Sequence, residues 1–65
     1  MENEEVINNR YETEYNVYLF NGRVAKVAAK KIVITKEDIT FYDYYGCVSG
    51  SFKKDFITCY MASSN

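Results

Sequence analysis

The sequence predicts an all-β protein: a small antiparallel meander of about five to six short strands, curled into a strongly bent sheet or open barrel. Three observations carry this. Residues 11–20 alternate polar and apolar with a period of two. Short apolar and aromatic runs recur along the chain, separated by Asn21-Gly22, Lys36-Glu37-Asp38, Asp43-Tyr44-Tyr45-Gly46 and Lys53-Lys54-Asp55. Tyr supplies seven of the eleven aromatic residues, and a small sheet uses Tyr as half-buried wall, ring inside and hydroxyl in water.

The first element is a hairpin over residues 12–31. Tyr11, Thr13, Tyr15, Val17 and Leu19 fall on one face of its first strand, and Glu12, Glu14, Asn16, Tyr18 and Phe20 on the other. Asn21-Gly22 follows, and both residue types tolerate the positive φ of a two-residue type I′ turn. Such a turn places Phe20 opposite Arg23, Leu19 opposite Val24, Val17 opposite Lys26, Thr13 opposite Lys30 and Glu12 opposite Lys31. In that register an acidic strand supports a basic one, because opposite charges across a strand pair contribute about 0.2–1 kcal/mol. Ala28-Ala29-Lys30-Lys31 also fits a bend or bulge that ends the pairing early.

Ile32-Val33-Ile34-Thr35 reads as a short apolar strand, Lys36-Glu37-Asp38 as a polar turn, and Ile39-Thr40-Phe41-Tyr42 as the returning strand. Asp43 at the first position and Gly46 at the fourth fit a type I turn followed by a left-handed Gly bulge, with Tyr44 and Tyr45 displayed at the tip. Residues 47–52 form a weaker strand, in which Gly50 marks a bulge or a close approach by another backbone. Lys53-Lys54-Asp55 turns the chain, and a single helical turn fits residues 51–56. Residues 56–61 are the last strand, expected to pair with 47–52. That pairing brings Cys47 and Cys59 onto neighbouring strands, where reduced and buried thiols act as small hydrophobes. Residues 1–10 are polar and acidic apart from Val6-Ile7. They read as a flexible, docking or short helical arm ahead of a single β domain over 11–62 and a tail over 63–65.

A chain of 65 residues buries only about 60% of the surface its unfolded form exposes. Chains this short are usually aided by disulfides, a metal or a partner subunit. With no His, and two Cys that do not form a Cys-x-x-Cys pair, no metal is expected. No stretch resembles a secretory signal or a membrane span of about 20 apolar residues, so the expected compartment is the cytoplasm, with both thiols reduced. Self-association remains, and a symmetric homodimer is the commonest closed form. Net charge is −1, but unevenly spread: Glu2, Glu4, Glu5, Glu12 and Glu14 lie early, whereas Arg23, Lys26, Lys30, Lys31 and Lys36 follow without an acid among them.

No cofactor and no enzymatic role are expected. Lacking His, the chain has no ordinary Ser-His or Cys-His nucleophile pair. Gly22, Gly46 and Gly50 form neither a phosphate-binding nor a dinucleotide-binding loop. Glu37-Asp38 lies in a turn that a small sheet leaves exposed, without the enclosed pocket that tunes catalytic acids. The leading expectation is a protein-binding module with Tyr42, Tyr44 and Tyr45 as aromatic anchors and Lys53 and Lys54 as a charged rim. In size and in its Lys, Asn, Ile and Tyr usage the chain resembles short proteins of phages and mobile elements of low-GC bacteria. That resemblance implies a steric inhibitor of a larger bacterial complex, such as a defence complex. A second expectation is a small β-barrel that binds single-stranded nucleic acid through Lys26, Lys30, Lys31 and sheet tyrosines, although the aromatic signature of RNA-recognition sheets is missing. A third is a minor structural subunit, such as part of a virion.

Overall fold

The structure, a computed structural model, describes residues 4–63. β1 (Glu5–Leu19) and β2 (Val24–Ile34) form the long central hairpin. Its loop has three residues, Phe20-Asn21-Gly22. Gly22 N–H donates to Leu19 O at 3.0 Å, and Leu19 N–H to Arg23 O at 2.9 Å. Within the loop only Gly22 has a positive φ, 88°. The loop is therefore a type I turn closed by a left-handed Gly bulge, not the expected type I′ turn. Asn21 contributes its side chain instead: its Oδ1 accepts from Arg23 N–H at 2.9 Å.

The extra loop residue moves the expected register by one. Val17 faces Ala25 rather than Lys26, Tyr15 faces Val27, and Thr13 faces Ala29 rather than Lys30. The observed register sets apolar against apolar on the inward face, and a buried face specifies register strongly. The expected Glu12–Lys31 pair is also absent, because Asn8 faces Lys31. Between Asn8 and Thr13, β1 carries a wide bulge opposite Lys30. The Asn9 amide fills the broken ladder, donating to Ala29 O at 3.2 Å and to Tyr15 Oη at 2.8 Å.

Residues 5–10, expected as a loose or helical arm, are the first part of β1. Val6 faces Val33 and Ile7 faces Ile32, and Ile7 packs against the core. Ile7 is the apolar anchor of this otherwise polar segment, whereas Val6 stays exposed beside Val33. The rest of the expected arm, residues 1–3, and residues 64–65 of the tail lie outside the described residues.

β3 (Asp38–Tyr42) returns through the short Lys36-Glu37 loop, where Thr35 N–H donates to Asp38 O at 2.8 Å. β4 (Val48–Lys53) pairs with β3. A single 3-10 turn (Lys54–Phe56) leads to β5 (Ile57–Ala62). β5 does not pair with β4 as expected. It joins the far edge of β1, with Val17 facing Tyr60 and Tyr18 facing Cys59. The five-stranded sheet has the order β4-β3-β2-β1-β5 and curls into a half-barrel. The 3-10 turn straps its open side. Lys54 N–H donates to Glu37 O in the β2–β3 loop at 2.8 Å, and Phe56 O accepts from Phe20 N–H at the β1–β2 tip at 3.0 Å. Cys47, just before β4, and Cys59, on β5, consequently sit at opposite edges of the sheet. Both are free and exposed, which corrects the expectation of buried neighbouring thiols.

The core lies inside the curl: Tyr15, Val17, Val27, Ala29, Ile32, Ile39 and Phe41 are buried. Phe41 is at its centre, with the Tyr15 and Tyr60 rings both 5.8 Å away and the Phe52 ring 6.0 Å away. Gly50 faces Phe41 across the β3–β4 ladder, followed by a register shift at Ser49. A Cβ at Gly50 would stand 2.8 Å from Val27 Cγ1, so β4 closes on β2 only because this position lacks a side chain. Ser49 Oγ completes the closure by donating to Ala28 O.

Two predictions follow from this packing. Gly50→Ala forces Val27 to move in a filled core and lowers stability by about 1–3 kcal/mol, read as a reduced midpoint in urea unfolding. Burial, then the Glu5 carboxylate, then Tyr15 push the Tyr60 hydroxyl above the usual tyrosine pKa. A raised folded-state pKa means that this contribution is complete below about pH 10 and is lost as pH rises through the folded value. Stability measured by thermal unfolding should therefore fall above that pH, and Tyr60→Phe should flatten the decline.

Candidate functional site: a braced aromatic tip

The β3–β4 loop repeats the geometry of the first hairpin. Asp43 N–H donates to Cys47 O at 2.8 Å, Gly46 N–H donates to Asp43 O at 3.1 Å, and Gly46 has a φ of 88°. This is the expected type I turn with a left-handed Gly bulge. Asp43 Oδ1 accepts from both Tyr45 N–H and Cys47 N–H, each at 2.9 Å. Glu12 Oε2 accepts from Tyr44 N–H at 3.0 Å. Glu12 reaches the loop from the β1 bulge, so the bulge braces the tip. Every N–H from Tyr44 to Cys47 thus has an oxygen partner within the fold.

On this fixed backbone, Tyr44 is 64% exposed and Tyr45 is 86% exposed. Their rings meet edge to face, with centroids 5.3 Å apart and planes at 88°, a favoured aromatic arrangement. Tyr42, at the end of β3, is half-buried, and Lys31 Nζ lies over its ring at 5.0 Å from the centroid, within cation–π range. Tyr11 stands in the β1 bulge beside Glu12 and is 72% exposed.

Of the residues expected to form a protein-binding site, the fold brings together Tyr42, Tyr44 and Tyr45. It separates Lys53 and Lys54 from them. Lys53 faces Asp38 at the opposite end of the β3–β4 ladder, and Lys54 begins the strap. The Lys53–Asp38 contact is 4.0 Å between largely exposed side chains, a geometry that contributes little. Lys31, rather than Lys53 or Lys54, is the lysine that lies against Tyr42. Lys30 lies opposite the β1 bulge, and Lys26 faces Asn16, with Glu14 diagonal to it. Lys53–Asp38 is the one ion pair among the described residues, so the expected charge pairing of Glu12 and Glu14 with the β2 lysines does not form.

Sequence reasoning missed Tyr11 as an exposed residue, because alternation set it on the same face as Tyr15 and Val17, which the fold buries. It also missed Glu12 as a brace, because no local signal places a bulge against a loop some thirty residues away. A second exposed apolar surface was missed for the same reason. Phe20 and Phe56 are 68% and 62% exposed, and with Leu19, Asn21 and Phe52 they line an open cleft of about 410 Å³. Only the strap brings these residues together.

Among the described residues, no group of three His, Cys, Asp or Glu is placed to hold a metal, and no helix is long and apolar enough to cross a membrane. Comparison with known proteins finds no matching family model, no similar curated protein and no similar solved structure.

The bracing is testable. Asp43→Ala removes the acceptor of two loop N–H groups and should lower stability by about 1–2 kcal/mol in denaturant unfolding. In the same variant the Tyr44 and Tyr45 ring resonances should move towards averaged, solvent-exposed shifts.

Proposed function

We propose that the protein is a protein-binding module whose Tyr44–Tyr45 tip docks on the surface of a larger partner. One observation carries this reading: the two most outward tip rings are held against each other on a backbone whose N–H groups are all engaged. Immobilising a flexible side chain on binding costs about 0.5–1.5 kcal/mol. A pair already ordered in the free protein avoids part of that cost. Aromatic anchors dominate binding energy at protein interfaces. Tyr11 and the Lys31–Tyr42 pair flank the tip and would form its surround. In this role the protein acts by occupying its partner's surface. Compositional resemblance makes a large bacterial complex, with steric inhibition as the consequence, the target we favour.

A second reading has its own observation. Among the described residues, Lys26, Lys30 and Lys31 have no carboxylate partner within ion-pair distance, and Lys31 stands over an aromatic ring. That combination suits a single-stranded nucleic acid. Glu12 at the tip and Glu14 diagonal to Lys26 oppose it. Phosphate binding weakens steeply with salt, so an oligonucleotide titration at two salt concentrations ranks the readings; tight, salt-sensitive binding would put this one first.

The variant carrying both Tyr44→Ala and Tyr45→Ala should keep the β circular-dichroism spectrum. It should lose partner affinity by more than about tenfold, since hot-spot truncations cost about 2 kcal/mol or more. Capture of the partner from source cells, quantified by mass spectrometry, provides the measurement. Equal capture by the variant and the parent removes the tip from the interface.

A further inference from the structure

We infer that the free edge of β5 pairs, antiparallel, with β5 of a second copy of this chain about a two-fold axis at Met61. This surface is separate from the aromatic tip, so the inference stands apart from the function proposed above. Among the described residues, β5 bonds to a strand on one side only, to β1. Ser63 N–H donates to Glu14 O at 2.7 Å, and backbone groups alternate in direction along a strand. The N–H and C=O of Met61 and Cys59 therefore point at β1 as well, and those of Tyr60 and Ala62 point outward.

The two outer strands of the sheet differ in how they are protected. β4 has a register shift at Ser49, whose hydroxyl turns back to the carbonyls of Ala28 and Phe41, and it ends in Lys53. Bulges and lysines are devices that stop edge pairing. β5, Ile57-Thr58-Cys59-Tyr60-Met61-Ala62, has no charge, no Pro and no Gly. Met61 is 53% exposed. An open cleft of about 260 Å³, lined by Ile34, Ile39, Ile57 and Tyr60 among others, runs beside the strand.

Charge points to a second copy as the occupant. A strand paired with itself about a two-fold axis sets side chains near their own duplicates, and like charges there are destabilising. β5 carries none. An axis at Met61 places Tyr60 opposite Ala62 of the copy, so outward N–H groups meet outward C=O groups. It also sets the two Met61 residues opposite each other as a non-hydrogen-bonded pair, the arrangement with the closest side chains. So short a ladder lies at the small end of interface sizes, and the dimer is in exchange with the monomer.

Light scattering on the pure chain should show the mass rising from one chain to two with concentration. The amide exchange of Tyr60 and Ala62 should slow over the same range while that of Tyr44 and Tyr45 does not. Met61→Lys and Met61→Glu should each give single-chain mass with an unchanged β spectrum, and their equimolar mixture should recover the two-chain mass. A single-chain mass for the parent at every concentration up to millimolar overturns the inference. So does a dimer that survives Met61→Lys, or Tyr60 and Ala62 exchange that ignores concentration. None of these outcomes bears on capture by the tip.

Discussion

The Phe41 ring touches Tyr15 on β1, Phe52 on β4 and Tyr60 on β5 at centroid separations of 5.8–6.0 Å. In the sheet order, β2 and β1 lie between β3 and β5. Neighbouring strands are about 4.8 Å apart, so a flat sheet would hold Phe41 and Tyr60 far out of contact. Only a curled sheet lets one ring serve all these strands. A chain this small has few other ways to exclude water from its apolar residues. The aromatic cluster thus sets the shape of the whole molecule.

Curling has local consequences. The long strands cannot bend continuously, so β1 breaks at residues 9–12 and β4 shifts register at Ser49. The ladder groups left open are met by side chains: Asn9 on Ala29 O in the first case, Ser49 on Ala28 O in the second. The 3-10 turn carries the chain across the open side and bonds to a loop at each end. Gly50 leaves room for the Val27 side chain of β2 against the β4 backbone. Each is a response to the same demand for closure around Phe41.

The aromatic tip inherits its order from that closure. The β1 bulge that relieves the curl also projects Glu12 towards the Tyr44 amide. Site and fold are linked through one carboxylate. The same bulge removes Glu12 from the β2 lysines, so charges that could have neutralised one another remain available at the surface. The tip and the β5 edge are distinct surfaces, and a molecule that uses both could present two tips at once. Paired tips would raise the effective concentration of one at the partner once the other is bound.

The sequence by itself determined the all-β class, the alternation along β1, and the loops at Lys36-Glu37 and Asp43–Gly46. It also singled out Tyr44 and Tyr45 as outward residues. These features depend on a residue's own backbone preference and on its nearest neighbours: Gly46 takes positive φ without a steric penalty, and Asp43 bonds the backbone two and four residues on. Tertiary structure decided the rest. Asn21-Gly22 serves either a two- or a three-residue loop, and only the match of Val17 with Ala25 and Tyr15 with Val27 selects the register. The placement of β5 on β1, the exposure of both thiols, the separation of Lys53 and Lys54 from the tip, and the Glu12 brace depend on contacts between residues distant in the chain. Such contacts are chosen by the volume the core must fill, a quantity that no short stretch of sequence contains.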